Sequence, residues 1–215
     1  MIIEKIMKKE VVTLTHKDTI ATAIKTMRHH GIRHIPIISN NNELIGIVSD
    51  RDLREASPST LVLEQKEHSL FKKPIKDIMT TDVITVHPLD FVEDAASIFF
   101  EHRISCLPVM RGQKLVGIVT EADVLYTYVQ LTGADQPSSR IEVRVPNRSG
   151  MLSEVSALFH EKHVNISSVF VYPDLDDHYK ILVFRVQTMN PMNVVETIKN
   201  RGYEILWPHQ LENRK

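Results

Sequence analysis

Gly46-Ile47-Val48-Ser49-Asp50-Arg51-Asp52-Leu53 returns further along the chain as Gly117-Ile118-Val119-Thr120-Glu121-Ala122-Asp123-Val124, and the residues around it return as well. Ile6-Met7 reappears as Ile78-Met79, Val11-Val12-Thr13 as Val83-Ile84-Thr85, and Ile35-Pro36-Ile37 as Leu107-Pro108-Val109, each 72 positions on. Beyond these segments the offset is 71, because Ser39-Asn40-Asn41-Asn42-Glu43 faces the shorter Arg111-Gly112-Gln113-Lys114. A polar turn absorbs a deletion that a core strand does not. The chain therefore carries one module twice. A duplicated half-module makes a two-fold cleft with related pockets, and the repeated polar residues are candidates for the floor of each.

Each copy alternates between strand and helix patterns. Val11 to Leu14 reads as a short strand, Asp18 suits an N-cap, and Ile20, Ile24 and Met27 follow at helical spacing. In the second copy Asp90 takes the cap position, with Val92, Ala96 and Phe99 behind it. Ile35 to Ile38 and Leu44 to Val48 are β-rich runs, and a second helix starts near Asp50, so each half reads β-α-β-β-α. The copies span 1–57 and 74–131. The polar stretch between them, 58–73, reads as a linker with Ser57-Pro58-Ser59 at its start.

A different pattern begins after a second linker, 132–139. Ile141 to Val145 alternates as a half-buried strand, Pro146-Asn147-Arg148-Ser149-Gly150 turns, and Leu152, Val155 and Phe159 mark a helix face. Strands at Ile166 to Tyr172 and Lys180 to Thr188 flank an acidic turn, Asn190-Pro191 opens a helix, and Tyr203 to Trp207 is a last strand. Residues 140–215 thus read βαββαβ, a ferredoxin-like split βαβ, and the chain as a whole is α+β.

The 215 residues have a net charge of −1 and no long basic run, so nothing marks a nucleic-acid surface. No apolar run approaches the roughly 20 residues of a membrane span, and Met1-Ile2-Ile3-Glu4-Lys5 lacks the form of a signal peptide. A cytoplasmic protein is expected, and the single cysteine, Cys106, agrees with a reducing compartment.

The tandem Gly-hydrophobic-x-Ser/Thr-x-x-Asp elements, with the preceding Ile-Pro and Leu-Pro strands, resemble a pair of CBS domains. Asn147-Arg148-Ser149-Gly150-Met151-Leu152, with Val164-Asn165-Ile166-Ser167, resembles an ACT domain, a small-molecule-sensing module. The two CBS copies, the ACT domain and the Leu131 to Pro137 junction together are similar to the acetoin-utilization family, which implies a role in acetoin catabolism. The CBS resemblance implies that Ser49 and Asp52, or Thr120 and Asp123, hold the phosphate and ribose of an adenosine nucleotide (AMP, ADP, ATP) or of S-adenosylmethionine. A hydroxyl opening a helix can bond a phosphate beside the free N–H groups there, and a carboxylate one turn later can accept from ribose hydroxyls. The adenine is then expected among Val12, Ile35, Pro36 and Val48, or Ile84, Leu107, Pro108 and Val119. Ser-x-x-Asp also approximates a capping box that serves only its own helix, and that alternative stays open.

The copies are unequal. Arg33 and Arg51 stand where the second copy has Ser105 and Ala122, and Arg103 stands near the second site in place of Gly31. Guanidinium groups favour phosphate, so the first site is expected to prefer phosphorylated adenosine ligands and the second a less charged one, or none. The ACT resemblance implies an amino-acid or similar small-molecule site at the interface of a paired domain, contacted by Asn147, Gly150, Met151, Leu152, Asn165 and Ile166. The competing reading is a structural strand-to-helix turn. An exposed sheet edge favours side-by-side pairing, so a homodimer is expected.

No catalytic constellation is evident. Cys106 follows His102 by four but heads a buried-looking strand, and reads as a small core residue. His29, His30 and His34 lack a convincing metal-ligand spacing, and Walker, nucleophile-elbow and dinucleotide motifs are absent. The expected function is a ligand-sensing regulator acting on an unidentified target protein, with an interaction scaffold carrying vestigial pockets as the alternative.

Overall fold

The computed structural model describes residues 1–56 and 71–208, so most of the linker expected at 58–73 lies outside the described residues. The chain divides into two compact units, Met1–Leu125 and Tyr126–Lys215.

In the first unit, the first repeat contributes β1 (Leu14–Thr15), α1 (Ile20–His30), β2 (His34–Ile38), β3 (Leu44–Ser49) and α2 (Asp50–Ala56). The second contributes α3 (Val92–His102), β4 (Cys106–Arg111), β5 (Lys114–Thr120) and α4 (Glu121–Thr132), whose first residues end the unit. Strand β1 pairs parallel to β2, and β2 antiparallel to β3. Strands β4 and β5 form the matching hairpin, while the counterpart of β1 is a single parallel bridge from Val86 to Val109. The strand expected at Val11 to Leu14 thus shifts to Leu14–Thr15, and its counterpart in the second repeat shrinks to the bridge at Val86.

The caps also shift by one residue. Thr19 caps α1, its hydroxyl accepting from Thr22 N, and Phe91 precedes α3. Asp18 and Asp90 instead close the turns before the helices: the Asp18 carboxylate accepts from Thr15 N at 2.7 Å and that of Asp90 from His87 N at 2.6 Å. Helix α1 ends at Gly31 with φ 63°; α3 ends at Arg103 with φ 52°.

The repeats exchange their leading segments. Ile3 is fully buried among Val92, Phe99, Leu107 and Val119 of the second repeat, and Ile75 among Ile20, Met27, Ile35 and Val48 of the first. Backbone bonds follow the exchange: Ile3 N donates to Asp90 O at 2.9 Å, Ile75 N to Asp18 O at 2.8 Å, Lys8 pairs with Ile118 and Thr80 with Ile47. Full burial of an isoleucine side chain is worth about 1.5–3 kcal/mol, so each half draws part of its core from the other. Gly46 and Gly117 are where these segments cross. A Cβ on Gly46 would stand 2.7 Å from Met79 Sδ and 3.0 Å from Thr80 O; one on Gly117 would stand 2.7 Å from Met7 Sδ and 3.1 Å from Lys8 O.

The second unit contains β6 (Ser139–Pro146), α5 (Met151–Glu161), β7 (Ile166–Pro173), β8 (Tyr179–Val186), α6 (Met192–Asn200) and β9 (Glu204–Trp207). The sheet order is β7-β8-β6-β9, antiparallel throughout, the split-βαβ arrangement expected. Met151, Val155, Phe159, Val194 and Ile198 of the helices pack on Ile141, Val143, Leu182 and Phe184 of the strands. Strand β7 is an edge strand, and Val169, Phe170, Val171 and Tyr172 on it are each 37–50% exposed.

Candidate functional site

Ser49 ends β3 and Asp52 lies in the first turn of α2; Thr120 and Asp123 hold the same places at β5 and α4. Both pairs close as capping boxes. Asp52 Oδ2 accepts from Ser49 N and Ser49 Oγ, each at 2.7 Å, and Asp52 N donates back to Ser49 Oγ at 3.2 Å. Asp123 Oδ2 accepts from Thr120 N at 2.9 Å and Thr120 Oγ1 at 2.6 Å. The second carboxylate oxygens differ. Asp123 Oδ1 lies 3.4 Å from Lys8 Nζ, whereas Thr80 occupies the place of Lys8 beside the first pair.

Ser49 and Asp52 border one cavity and Thr120, with Asp123 behind it, borders another, and each cavity is assembled from both repeats. The first, about 410 Å³, is lined by Ser49 and Asp52 together with Val83, Ile84 and Ile104 of the second repeat. The other, about 420 Å³, is lined by Thr120 together with Val11, Val12 and Ile32 of the first. Ile47 and Ile118 complete the two sets. Both volumes suit a small organic ligand. The segment exchange produces this pairing, since the chain leading into each repeat lies on the other.

Several expected contacts are therefore redistributed. Val12 borders the Thr120 cavity and Ile84 the Ser49 cavity, the reverse of the assignment by repeat. Ile35, Val48, Leu107 and Val119 are fully buried core residues, and Pro36 and Pro108 are buried beside them, so none of the six lines a cavity wall. Side-chain alternation explains it: Ile47 and Ile118 face the cavities because their neighbours Val48 and Val119 face the core.

Charge separates the cavities. Arg33, Arg51, Arg54 and Arg103 border the Ser49 cavity, with Asp50, Asp52 and Asp82. Arg103 stands here and not at the second site, again because of the exchange. Lys8 and Arg33 border the Thr120 cavity, with Glu10 and Glu121. Arg51 pairs with Glu55 at 2.9 Å and Arg54 with Asp50 at 2.8 Å.

Between the cavities, His34 Nε2 and Ser105 Oγ lie 3.2 Å apart. Burial holds the His34 imidazole below its ordinary pKa, against the opposing pull of the Asp52 carboxylate. Burial, reinforced by Asp123, pushes the Cys106 thiol up to about 12. The thiol therefore stays protonated and is no nucleophile at neutral pH. Among the described residues no group of three or more His, Cys, Asp and Glu could hold a metal ion, and no helix is long and apolar enough to cross a membrane.

In the second unit the six expected contacts fall at opposite ends of the sheet. Asn147 N donates to His178 O at 2.7 Å next to Tyr179, and Asn165 O accepts from Gln187 N at 3.0 Å beside Val186. Tyr179 and Val186 are the two ends of β8, roughly 23 Å apart. Gly150 precedes α5 with φ 88°, Met151 is buried and Leu152 exposed. Asn165 Nδ2 donates to Gln187 Oε1 at 2.7 Å. Asn165 and Ile166 border an open cavity of about 720 Å³ with Gln130, Gln136 and Gln187.

The CBS domain family model matches residues 3–59 and 75–129, and the ACT domain model residues 139–202. A Vibrio cholerae structure named for acetoin utilization (AcuB) is 32% identical, with a TM-score of 0.54 over 65% of this chain and 98% of that one. The CBS domain pair of protein MJ0100, solved with 5′-methylthioadenosine and S-adenosyl-L-methionine, is 28% identical with a TM-score of 0.52, over 63% of this chain and 98% of that one. CBSX2, solved with AMP, is 25% identical with a TM-score of 0.52, over 60% of this chain and 96% of that one. Inosine-5′-monophosphate dehydrogenase of Methanocaldococcus jannaschii is 28% identical over 123 residues, 57% of this chain but 22% of the enzyme. The chain thus spans only about a fifth of that relative's length.

Proposed function

The chain belongs to the CBS-domain family and carries an ACT domain behind the CBS pair, and on that premise we propose that it is a non-catalytic regulator whose two cavities bind adenosine compounds. The observation that carries this reading is the pair of cavities of about 410 and 420 Å³. Each sets a strand-end hydroxyl, backed by an aspartate, against four half-buried apolar residues. The hydroxyl and helix N-terminus suit a phosphate, the aspartate a ribose and the apolar set an adenine. The ligands named for MJ0100 and CBSX2 support the same ligand class here.

The Ser49 cavity, with its four arginines, is the site for AMP, ADP or ATP. The Thr120 cavity, with two glutamates and a lysine already paired to Asp123, suits adenosine or an adenosine compound without a phosphate, such as S-adenosylmethionine. Asp52 Oδ1 carries no bond among the described residues and can accept from a ribose hydroxyl, whereas Asp123 Oδ1 must first part from Lys8. Likeness to the Vibrio protein supports a place in acetoin catabolism, in the cytoplasm, with an unidentified protein as target. The exposed apolar edge at β7 supports a homodimer. Pairing is also what would bring Asn147, Gly150, Met151 and Leu152 of one copy near Asn165 and Ile166 of another, to hold an amino acid or similar metabolite.

Calorimetry tests the reading: AMP should bind the parent protein and lose most of its affinity in Ser49→Ala, with Thr120→Ala affecting adenosine more than AMP. The self-satisfied capping boxes favour a second reading, an interaction scaffold with vestigial pockets. Equal AMP affinity in the parent and both variants would leave the scaffold standing.

A further inference from the structure

Three residues, Arg33, His34 and Ser105, line both cavities. They form the wall between them, joined by the His34–Ser105 contact of 3.2 Å. Arg33 and Ser105 are counterparts under the 72-residue repeat, so the duplication supplies this wall with one guanidinium, not two. That guanidinium is exposed and makes no ion pair or side-chain hydrogen bond among the described residues. The other cations bordering the Thr120 cavity reduce to Lys8, already held at 3.4 Å by Asp123. The Ser49 cavity has a second uncommitted cation, Arg103.

We infer that Arg33 couples the two cavities, so that an anionic ligand in one weakens the other for a second anion. The inference rests on the adenosine reading above. An anion in the Ser49 cavity draws the guanidinium to its side of the wall. The Thr120 cavity is then left with Glu10, Glu121 and a lysine that must break its pair with Asp123 before it can meet a phosphate. Coupling is reciprocal, so an anion placed first in the Thr120 cavity weakens the Ser49 cavity by the same factor. An uncharged ligand makes no claim on Arg33 and feels none of this. The chain would then be built to hold one nucleotide and one uncharged adenosine compound in preference to two nucleotides.

The test is calorimetry on the full chain with AMP and with adenosine. Ile47→Trp and Ile118→Trp each put a bulky ring into one cavity, leave the other intact and give its affinity with the neighbour empty; the parent gives the stepwise constants with both present. For AMP, the product of the parent's two association constants should fall about tenfold below the product of the single-cavity constants. For adenosine the products should agree. In an Arg33→Ala background the AMP gap should close; Arg33 is exposed, and a melting curve checks that this variant and the two tryptophan variants fold. A parent without a gap, or a gap that survives Arg33→Ala, overturns the coupling and leaves the adenosine reading standing. No binding of AMP or adenosine by the parent overturns that reading, and the coupling with it.

Discussion

Replacing Arg103 by glycine should make the protein more stable and its Ser49 cavity weaker at once. Arg103 ends α3 in the left-handed conformation, φ 52° and ψ 39°, where its counterpart Gly31 has φ 63° and ψ 31°. A residue with a Cβ pays about 1–2 kcal/mol there, and the extra freedom of glycine in the unfolded chain takes back about 0.5–1 kcal/mol. The net expectation is a gain of about 0.5–1 kcal/mol, or roughly 1–4 °C in melting temperature for a chain of this size. Arg103 borders the cavity with Arg33, Arg51 and Arg54, and on the proposed function that position is the reason to keep arginine in a conformation that suits glycine. Losing one partly exposed charge-assisted contact should weaken AMP about fivefold and leave adenosine unchanged. Denaturant unfolding and calorimetry on the same preparation measure both. Generalised damage cannot raise stability while lowering affinity for the charged ligand alone. The reasoning fails if Arg103→Gly binds AMP as the parent does, or if the variant is less stable.

Gly46→Ala and Gly117→Ala should each destabilise the first unit by about 1–3 kcal/mol in urea unfolding, because the new Cβ meets a methionine sulfur at 2.7 Å and a backbone carbonyl oxygen that cannot swing away. Gly112→Ala, with nothing within 4 Å, lacks that steric cost and should show only the penalty of its own φ of 62°. His34 carries a lowered pKa in the folded state, so the unfolded chain binds its proton first on acidification. Its contribution is present above about pH 6.5 and is lost as the pH falls below it. The pH dependence of unfolding should therefore be shallower over that range in His34→Gln, and an unchanged slope would contradict the assignment.

The duplication, the order of elements and the chemistry of the Ser49 and Thr120 boxes were legible in the sequence, because repeats and side-chain period are local properties. Which copy a segment packs against is not local. The offset relating Ile6-Met7 to Ile78-Met79 is the same whether each segment lies on its own repeat or on the other, so the placement of Val12, Ile84 and Arg103 was out of reach. Two signals did bear on it. A glycine at the same place in both hairpins marks a close backbone approach, and an isoleucine near each repeat's start needs a core to enter. The apolar contacts were misplaced for a simpler reason: in a strand with one face on the core and one on a cavity, both faces are apolar, so hydrophobicity does not separate Val48 and Val119 in the core from Ile47 and Ile118, one step away, which border the cavities. Asp18 and Asp90 read as caps because an aspartate before an apolar period fits that role, yet a threonine follows Asp18 and the aspartate is free to close the preceding turn.

The central claim, that the two cavities are adenosine sites, is tested most directly by the thermal stability of the full chain with AMP, ADP, ATP, S-adenosylmethionine and adenosine in turn. A ligand at about 100 times its dissociation constant adds roughly 2.7 kcal/mol to the state that binds it. A rise of several degrees with AMP, abolished in Ser49→Ala, is the predicted result; an unchanged melting temperature with all five compounds at millimolar concentration would contradict it.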